Sequence, residues 1–280
     1  MKIINYIINI IKYSLPFGIH LLYNKYKEIY FFKPTKEEKK ILKINAKFKD
    51  IHKGERCFIV CSGPSINKQN LLPLKNEKTF FVSSGFLHPN YNEIKPLYFC
   101  LPPSNDLLNQ DRYNRFRKME ETSNKTNFFF SISDKKYLYD NDLFLKDKVN
   151  YIYFDMQMDN KRKEIYDLTK QIPSVQSVPI MCLMIAMYMG FKEIFLLGTE
   201  HDSFKGEYRH FYENTEMTED CVVNNKISSL YLELKSCVSL WEQYMHLKRI
   251  AENNNIKIFN ATEGGALDVF PRVKFESLFI

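Results

Sequence analysis

Seven short apolar runs punctuate the chain after residue 56, each bounded by turn-forming residues: Cys57–Cys61, Thr79–Val82, Leu97–Cys100, Asn127–Ile132, Val149–Phe154, Glu193–Leu197 and Lys257–Asn260. Several are apolar at nearly every position rather than at every second one. That is the pattern of parallel strands covered on both faces. Helix-length segments separate them, the clearest being Pro179–Met189 and the stretch from about Ser228 to Asn253. Alternation of this kind predicts an α/β fold: a doubly wound, mainly parallel, Rossmann-like sheet with ligands at the carboxyl ends of its strands. From His201 to about residue 225 the periodicity lapses, and two His and two Tyr stand among Lys, Glu and Asp. A connection of that length following a strand end at Gly198 is expected to be a lid or binding loop.

The first 32 residues follow another rule. Met1 to Leu15 is rich in Ile, with polar residues at Lys2, Asn5, Asn9 and Lys12. Spacings of three and four align these along one stripe of a helix. Pro16 and Gly18 interrupt it, and Ile19 to Phe32 then mixes Leu, Tyr, Ile and Phe with Lys25 and Lys27. The run is too short and too striped to span a bilayer, and no small-residue cleavage site follows it. It fits an amphipathic helix lying in a membrane surface, or one docked on this domain or on another subunit, which leaves room for a homo-oligomer. The Lys-rich run 33–49 is expected to be a solvated linker or helix. The chain thus divides into an arm with linker, 1–55, and a Rossmann-like domain, 56–280, with its lid at about 201–225.

Charge sharpens that division. The net +7 is concentrated in residues 1–56, which hold 13 Lys or Arg against 5 Asp or Glu. The remainder sums to −1, so the folded body lacks the basic face that nucleic-acid binding requires. A basic arm suits the anionic inner face of a cytoplasmic membrane. Six cysteines, at 57, 61, 100, 182, 221 and 237, form no CxxC pair and no zinc spacing with histidines. A reducing, cytoplasmic compartment is expected, with peripheral attachment to the membrane.

Four segments could carry chemistry. The strand ending at Cys61 runs into Ser62-Gly63-Pro64-Ser65, where Gly63 permits close backbone approach and Ser65 could cap a helix whose amides favour phosphate. This is neither GxGxxG nor a P-loop. The second is Ser177-Val-Pro-Ile-Met-Cys followed by Gly190-Phe-Lys-Glu-Ile-Phe-Leu-Leu-Gly198. Its strand delivers Gly198, Thr199, Glu200, His201 and Asp202 to the ligand edge. The third is Tyr208-Arg-His210-Phe-Tyr212. An imidazole titrating near neutrality can take a proton from a hydroxyl, and phenols can donate to a departing phosphate. The last is Asn260-Ala-Thr262-Glu-Gly264-Gly265, suited either to base or ribose recognition or to a cap and turn.

Together these motifs resemble the bacterial sialyltransferases, which are CMP-sialic-acid-dependent enzymes with a Rossmann-like, GT-A-variant fold. They also resemble the wider MptE-like group of polysaccharide-cluster proteins and archaeal pterin diphosphokinases. The likeness spans about residues 56–270, and its specific parts are Gly63-Pro64-Ser65 and the helix–strand block 177–198. It implies that Ser62, Gly63, Ser65 and Ser177 meet the nucleotide and phosphate, that Gly198 and Thr199 lie beside the ribose, and that His210 is the general base. Three positions depart from the sialyltransferase pattern. Ser62 stands where that family has Asn, Ser83-Ser84-Gly85 replaces an Asn after the second strand, and Glu200-His201-Asp202 occupies the place of a turn followed by Tyr. Ser84 is therefore placed in the donor site, and Tyr208 or Tyr212 takes the leaving-group role.

The resemblance implies inverting transfer from a CMP-activated acidic sugar to a glycan or lipid-linked acceptor in bacterial surface polysaccharide synthesis, without a metal or cofactor. The alternatives are a diphosphokinase acting on a pterin and a non-catalytic nucleotide-binding scaffold. No carboxylate follows the strand ending at Cys100 until Asp106, which counts against a magnesium site there.

Overall fold

The computed structural model describes residues 33–103, 110–122, 126–145, 148–205, 210–212 and 230–279. Eight strands form one sheet: β1 Arg56–Val60, β2 Thr79–Val82, β3 Tyr98–Cys100, β4 Asn127–Ser131, β5 Lys148–Met156, β6 Gln171–Pro173, β7 Glu193–Leu197 and β8 Lys257–Asn260. Their order across the sheet is β6-β5-β4-β3-β2-β1-β7-β8, and every neighbouring pair is parallel. The expected α/β sheet is present. It contains one strand that the apolar pattern does not announce: β6 is three residues long and sits at an edge.

Successive residues of each strand enter opposite cores, and for this reason the runs are apolar throughout. Cys57, Ile59 and Cys61 face one layer with Phe80, Tyr98, Phe129, Ile194 and Leu196. Phe58 and Val60 face the other with Phe81, Phe99, Phe128, Phe130, Phe195 and Leu197. The second layer is closed by the short helix α2 (Tyr91–Ile94), α3 (Gln110–Thr122) and α4 (Lys135–Asp140). The first is closed by α5 (Val178–Tyr188) and α6 (Leu230–Asn253). Every residue of α5 is buried, because the sheet covers one side while α6 and the 50–54 turn cover others.

Residues 36–54, which the sequence reading assigns to the arm and linker, pack into this body. Thr35 opens the helix α1 (Lys36–Lys43; it precedes α2 in the chain) with a capping box to Glu38. Leu42 and Phe48 are buried, and Asn45 Nδ2 donates to the carbonyls of Tyr151 and Leu168. The Asp50 and His52 amides then bond the end of α5 at Tyr188 and Met189. The Lys side chains lie on the opposite, solvated side, and they dominate the local composition. The arm itself, residues 1–32, lies outside the described residues. No described helix is long and apolar enough to cross a membrane.

The chain lays down β1 to β6 in one direction, then returns through α5 to place β7 on the free side of β1. The strand order reverses there. The loops leaving β1 and β7, residues 61–65 and 197–202, flank this switch point, the place where a doubly wound sheet receives its ligand.

Candidate functional site

The two loops are joined by backbone. The Cys61 amide donates to the Leu197 carbonyl and the Gly63 amide to the Gly198 carbonyl, at 2.9 and 3.0 Å. Pro64 then begins a four-residue 3-10 turn, Pro64–Asn67, for which Gly63 occupies the cap position without a side-chain bond. Ser65 is therefore inside the turn and does not cap it. Its hydroxyl, like that of Ser62, is buried with no hydrogen-bond partner among the described residues.

The Ser65 amide, expected to favour a phosphate, is already engaged. It donates to Glu200 Oε1 at 2.7 Å, and Glu200 is only 8% exposed. The carboxylate lies flat on Gly63. A Cβ at residue 63 would overlap Glu200 Oε2 and Cδ and stand 2.5 Å from the Gly198 carbonyl oxygen. From the other side, the Glu200 carbonyl accepts the amides of Ala266 and Leu267 at 2.7 and 3.2 Å. A Cβ at Gly265 would come within 2.5 Å of Glu200 Cα. Glu200 is thus clamped between the loops after β1 and β8. Its second oxygen has no hydrogen-bond partner among the described residues.

The third segment at the site is the tripeptide His210-Phe211-Tyr212, far from Ser62 in sequence. The Phe211 amide donates to the Ser62 carbonyl at 3.0 Å, and Asn67 Nδ2 donates to the Phe211 carbonyl at 2.7 Å. The His210 ring stacks on Tyr212, with centroids 4.8 Å apart at 13°. Burial pushes the His210 imidazole below the usual histidine range, opposed by its bond to the Ser62 backbone. A neutral ring capable of accepting a proton therefore stands beside the switch point. Tyr208 lies outside the described residues, as does most of the lid.

Other expected site residues hold the scaffold. Thr199 and Thr262 share a hydroxyl contact of 2.9 Å, and the Thr199 amide donates to Thr262 Oγ1. Asn260 accepts the Thr262 amide and donates to the Leu267 carbonyl. These groups satisfy one another in the turn after β8, so that segment supports the site as a cap and turn. His201 faces away from the loop of β1. Its Nε2 meets the Tyr244 hydroxyl of α6 at 2.7 Å, and burial drives its pKa down to about 4. Asp202 is half-buried, and its carbonyl accepts the Lys205 amide. Ser84 is buried before a 3-10 turn, Gly85–Leu87, without a side-chain cap bond. Ser177 is the half-buried N-cap residue of α5 and likewise makes no side-chain cap bond. One turn farther on, Cys182 touches Cys100 at the end of β3, which puts this helix start at the ligand edge of the sheet. Burial raises the thiols of Cys57, Cys61 and Cys182 well above the ordinary range, so they remain protonated.

Three residues passed over by the sequence reading shape the site. Arg272 donates to the carbonyls of Thr262, Gly264, Gly265 and Leu267, gathering the turn that presses on Glu200. Gln69 Nε2 donates to the Ala261 carbonyl, and His88 packs on Phe211 with centroids 5.6 Å apart. No motif marks them, since each acts across more than a hundred residues or through a backbone carbonyl. Among the described residues no group of three or more His, Cys, Asp or Glu converges in a way that could hold a metal ion. No protein-family model matches the chain, and no curated protein matches it.

Proposed function

We propose that this chain is a glycosyltransferase of bacterial surface polysaccharide assembly, using a nucleotide-activated sugar at the switch point between β1 and β7. A CMP-linked acidic sugar of the sialic-acid kind is the first donor to test. The reading is carried by one observation: the His210 tripeptide is pinned through the Ser62 carbonyl to the loop at the sheet's switch point. A base is thereby held beside the place where a doubly wound sheet receives its ligand.

In this reading His210 takes the proton of the acceptor hydroxyl as that oxygen attacks the anomeric carbon. The bond from the anomeric carbon to the donor phosphate breaks, and the nucleotide departs with the bonding pair. Tyr212 is the nearby phenol that could donate to the leaving phosphate. Inversion follows from a single displacement. Because Glu200 holds the Ser65 amide, the donor phosphate is assigned to the start of α5 around Ser177, where the positive end of the helix dipole favours an anion. The Glu200 carboxylate then faces hydrogen-bearing groups of the nucleoside. Lipid-linked glycan acceptors, and attachment of the basic arm to the inner membrane face, belong to the same proposal.

The test is nucleotide release from purified protein given CMP-, UDP- and GDP-sugars, with and without EDTA. Release from CMP-sugar that persists in EDTA and is lost in His210→Ala supports the reading. No release from any sugar nucleotide overturns it. AMP formed from ATP and a pterin would then point to the diphosphokinase, and tight binding without turnover to a scaffold.

A further inference from the structure

The long helix α6 is apolar on two sides. Tyr244, Leu247, Ile250 and Ala251 enter the core beneath α5. On another side, Tyr231, Leu234, Val238 and Met245 are 69, 44, 58 and 44% exposed. With half-buried Trp241 they recur at steps of three, four, three and four residues. That is the a/d spacing of a coiled-coil seam, sustained over two heptads, and large apolar groups left in water along one stripe mark an interaction surface.

The charges beside the stripe identify its occupant. Lys235 and Glu242 are exposed, lie seven residues apart, and each follows a d residue, at the same e position of successive heptads. Neither forms an ion pair with another described residue. The g positions are Leu230, Cys237 and Tyr244, all uncharged. A parallel partner helix brings e against g, and so offers these charges nothing. An antiparallel partner brings e against e. A second copy of α6, antiparallel about an axis between residues 238 and 241, sets Lys235 against Glu242 twice. The same register sets Val238 against Trp241 and Leu234 against Met245. The stripe is complementary to itself only in that orientation, and one surface meeting its own copy is the requirement for twofold symmetry.

We propose that α6 is the seam of an antiparallel homodimer. A cleft of about 690 Å³ adjoins it, lined by Met158, Ser239, Glu242, Gln243, Met245 and Arg249. In the register above, Tyr231 of one copy lies opposite Lys248 of the other, whose ammonium donates to the Val269 carbonyl.

Sedimentation velocity on the full chain over a range of protein concentrations tests the proposal. The expected result is a dimer, converted to monomer by Leu234→Glu with Val238→Glu, while the circular dichroism spectrum stays unchanged because both side chains are exposed. Glu242→Lys alone should weaken the dimer about tenfold by setting like charges together, and the swap Lys235→Glu with Glu242→Lys should restore it. A monomeric parent overturns the proposal, as does a dimer indifferent to the two glutamates. A charge swap that fails to restore association overturns the antiparallel register. A dimer lost on deleting residues 1–32 but insensitive to Val238→Glu assigns assembly to the arm and overturns the seam.

Discussion

Gly63→Ala tests the centre of the site with a single methyl group. That methyl would overlap the Glu200 carboxylate and stand 2.5 Å from the Gly198 carbonyl oxygen, a backbone atom held by its bond from the residue 63 amide. If Glu200 swings out, the Ser65 amide loses a charge-assisted bond, a loss of about 1.5–3 kcal/mol. The remaining crowding against Gly198 must be relieved by a backbone shift, at about 1–3 kcal/mol for overpacking. The two together come to roughly 2.5–6 kcal/mol. At about 2–4 °C per kcal/mol for a large domain, melting should fall by roughly 10 °C. The same substitution in a Glu200→Ala background meets only the Gly198 carbonyl and should cost about 1.5–3 kcal/mol less, which a double-mutant cycle measures. Calorimetry or denaturant melts of the four proteins decide it. If Gly63→Ala melts with its parent, or costs the same in both backgrounds, the carboxylate does not lie on the loop.

Three further outcomes are expected. Burial holds His210 below 6.5, so its base form persists into mildly acidic solution. The rate of nucleotide release should be level from pH 7 to 8 and fall with an apparent pKa below 6.5; a midpoint above that value would exclude His210 as the base. His201 has a folded pKa of about 4 against 6.5 when free, so the unfolded chain binds its proton first. Its contribution to stability is complete above pH 6.5, is lost as pH falls toward 4, and changes no further below. His201→Gln should therefore flatten that part of the stability profile, and an unaltered slope between pH 6.5 and 4 would contradict the assignment. Deleting residues 1–33 should abolish sedimentation with anionic liposomes while leaving nucleotide binding intact; retained liposome binding would rule out the arm as anchor.

The strands of the sheet were legible because burial on both faces leaves unbroken apolar runs, and α5 because it lies between Ser177 and Gly190. β6 was not, since Gln171-Ile172-Pro173 is too short to show a pattern. The helix within 33–49 was legible, but the packing of residues 36–54 was not, because lysines outnumber the buried Leu42, Asn45 and Phe48 and because Asn45 and Phe48 touch residues far away in the chain. At the site, the loop of β1, the end of β7 and the His210 tripeptide were recognisable as segments. Their mutual bonds were not. Glu200 was expected to meet a ligand, and nothing local indicates that its carboxylate occupies an amide 135 positions earlier. His201 and His210 look alike in composition; one turns to Tyr244 and the other to Ser62, a difference set by the left-handed backbone at His201.

The placement of β1 at the middle of the sheet has a consequence for synthesis. Its second partner arrives late: β7 begins at residue 193, β8, which pairs with β7, at 257, and the guanidinium that gathers the final turn is at 272. Bonds such as Gln69 to Ala261 span 192 residues, and closing such loops late slows folding. A chain emerging from the ribosome can pair β1 with β2 through β6 while one long edge of β1 stays open, an aggregation-prone edge that a chaperone would need to shield. The loops after β1 and β7 meet only when β7 closes that edge, so under the proposed function the growing chain has no donor site until β7 has been added.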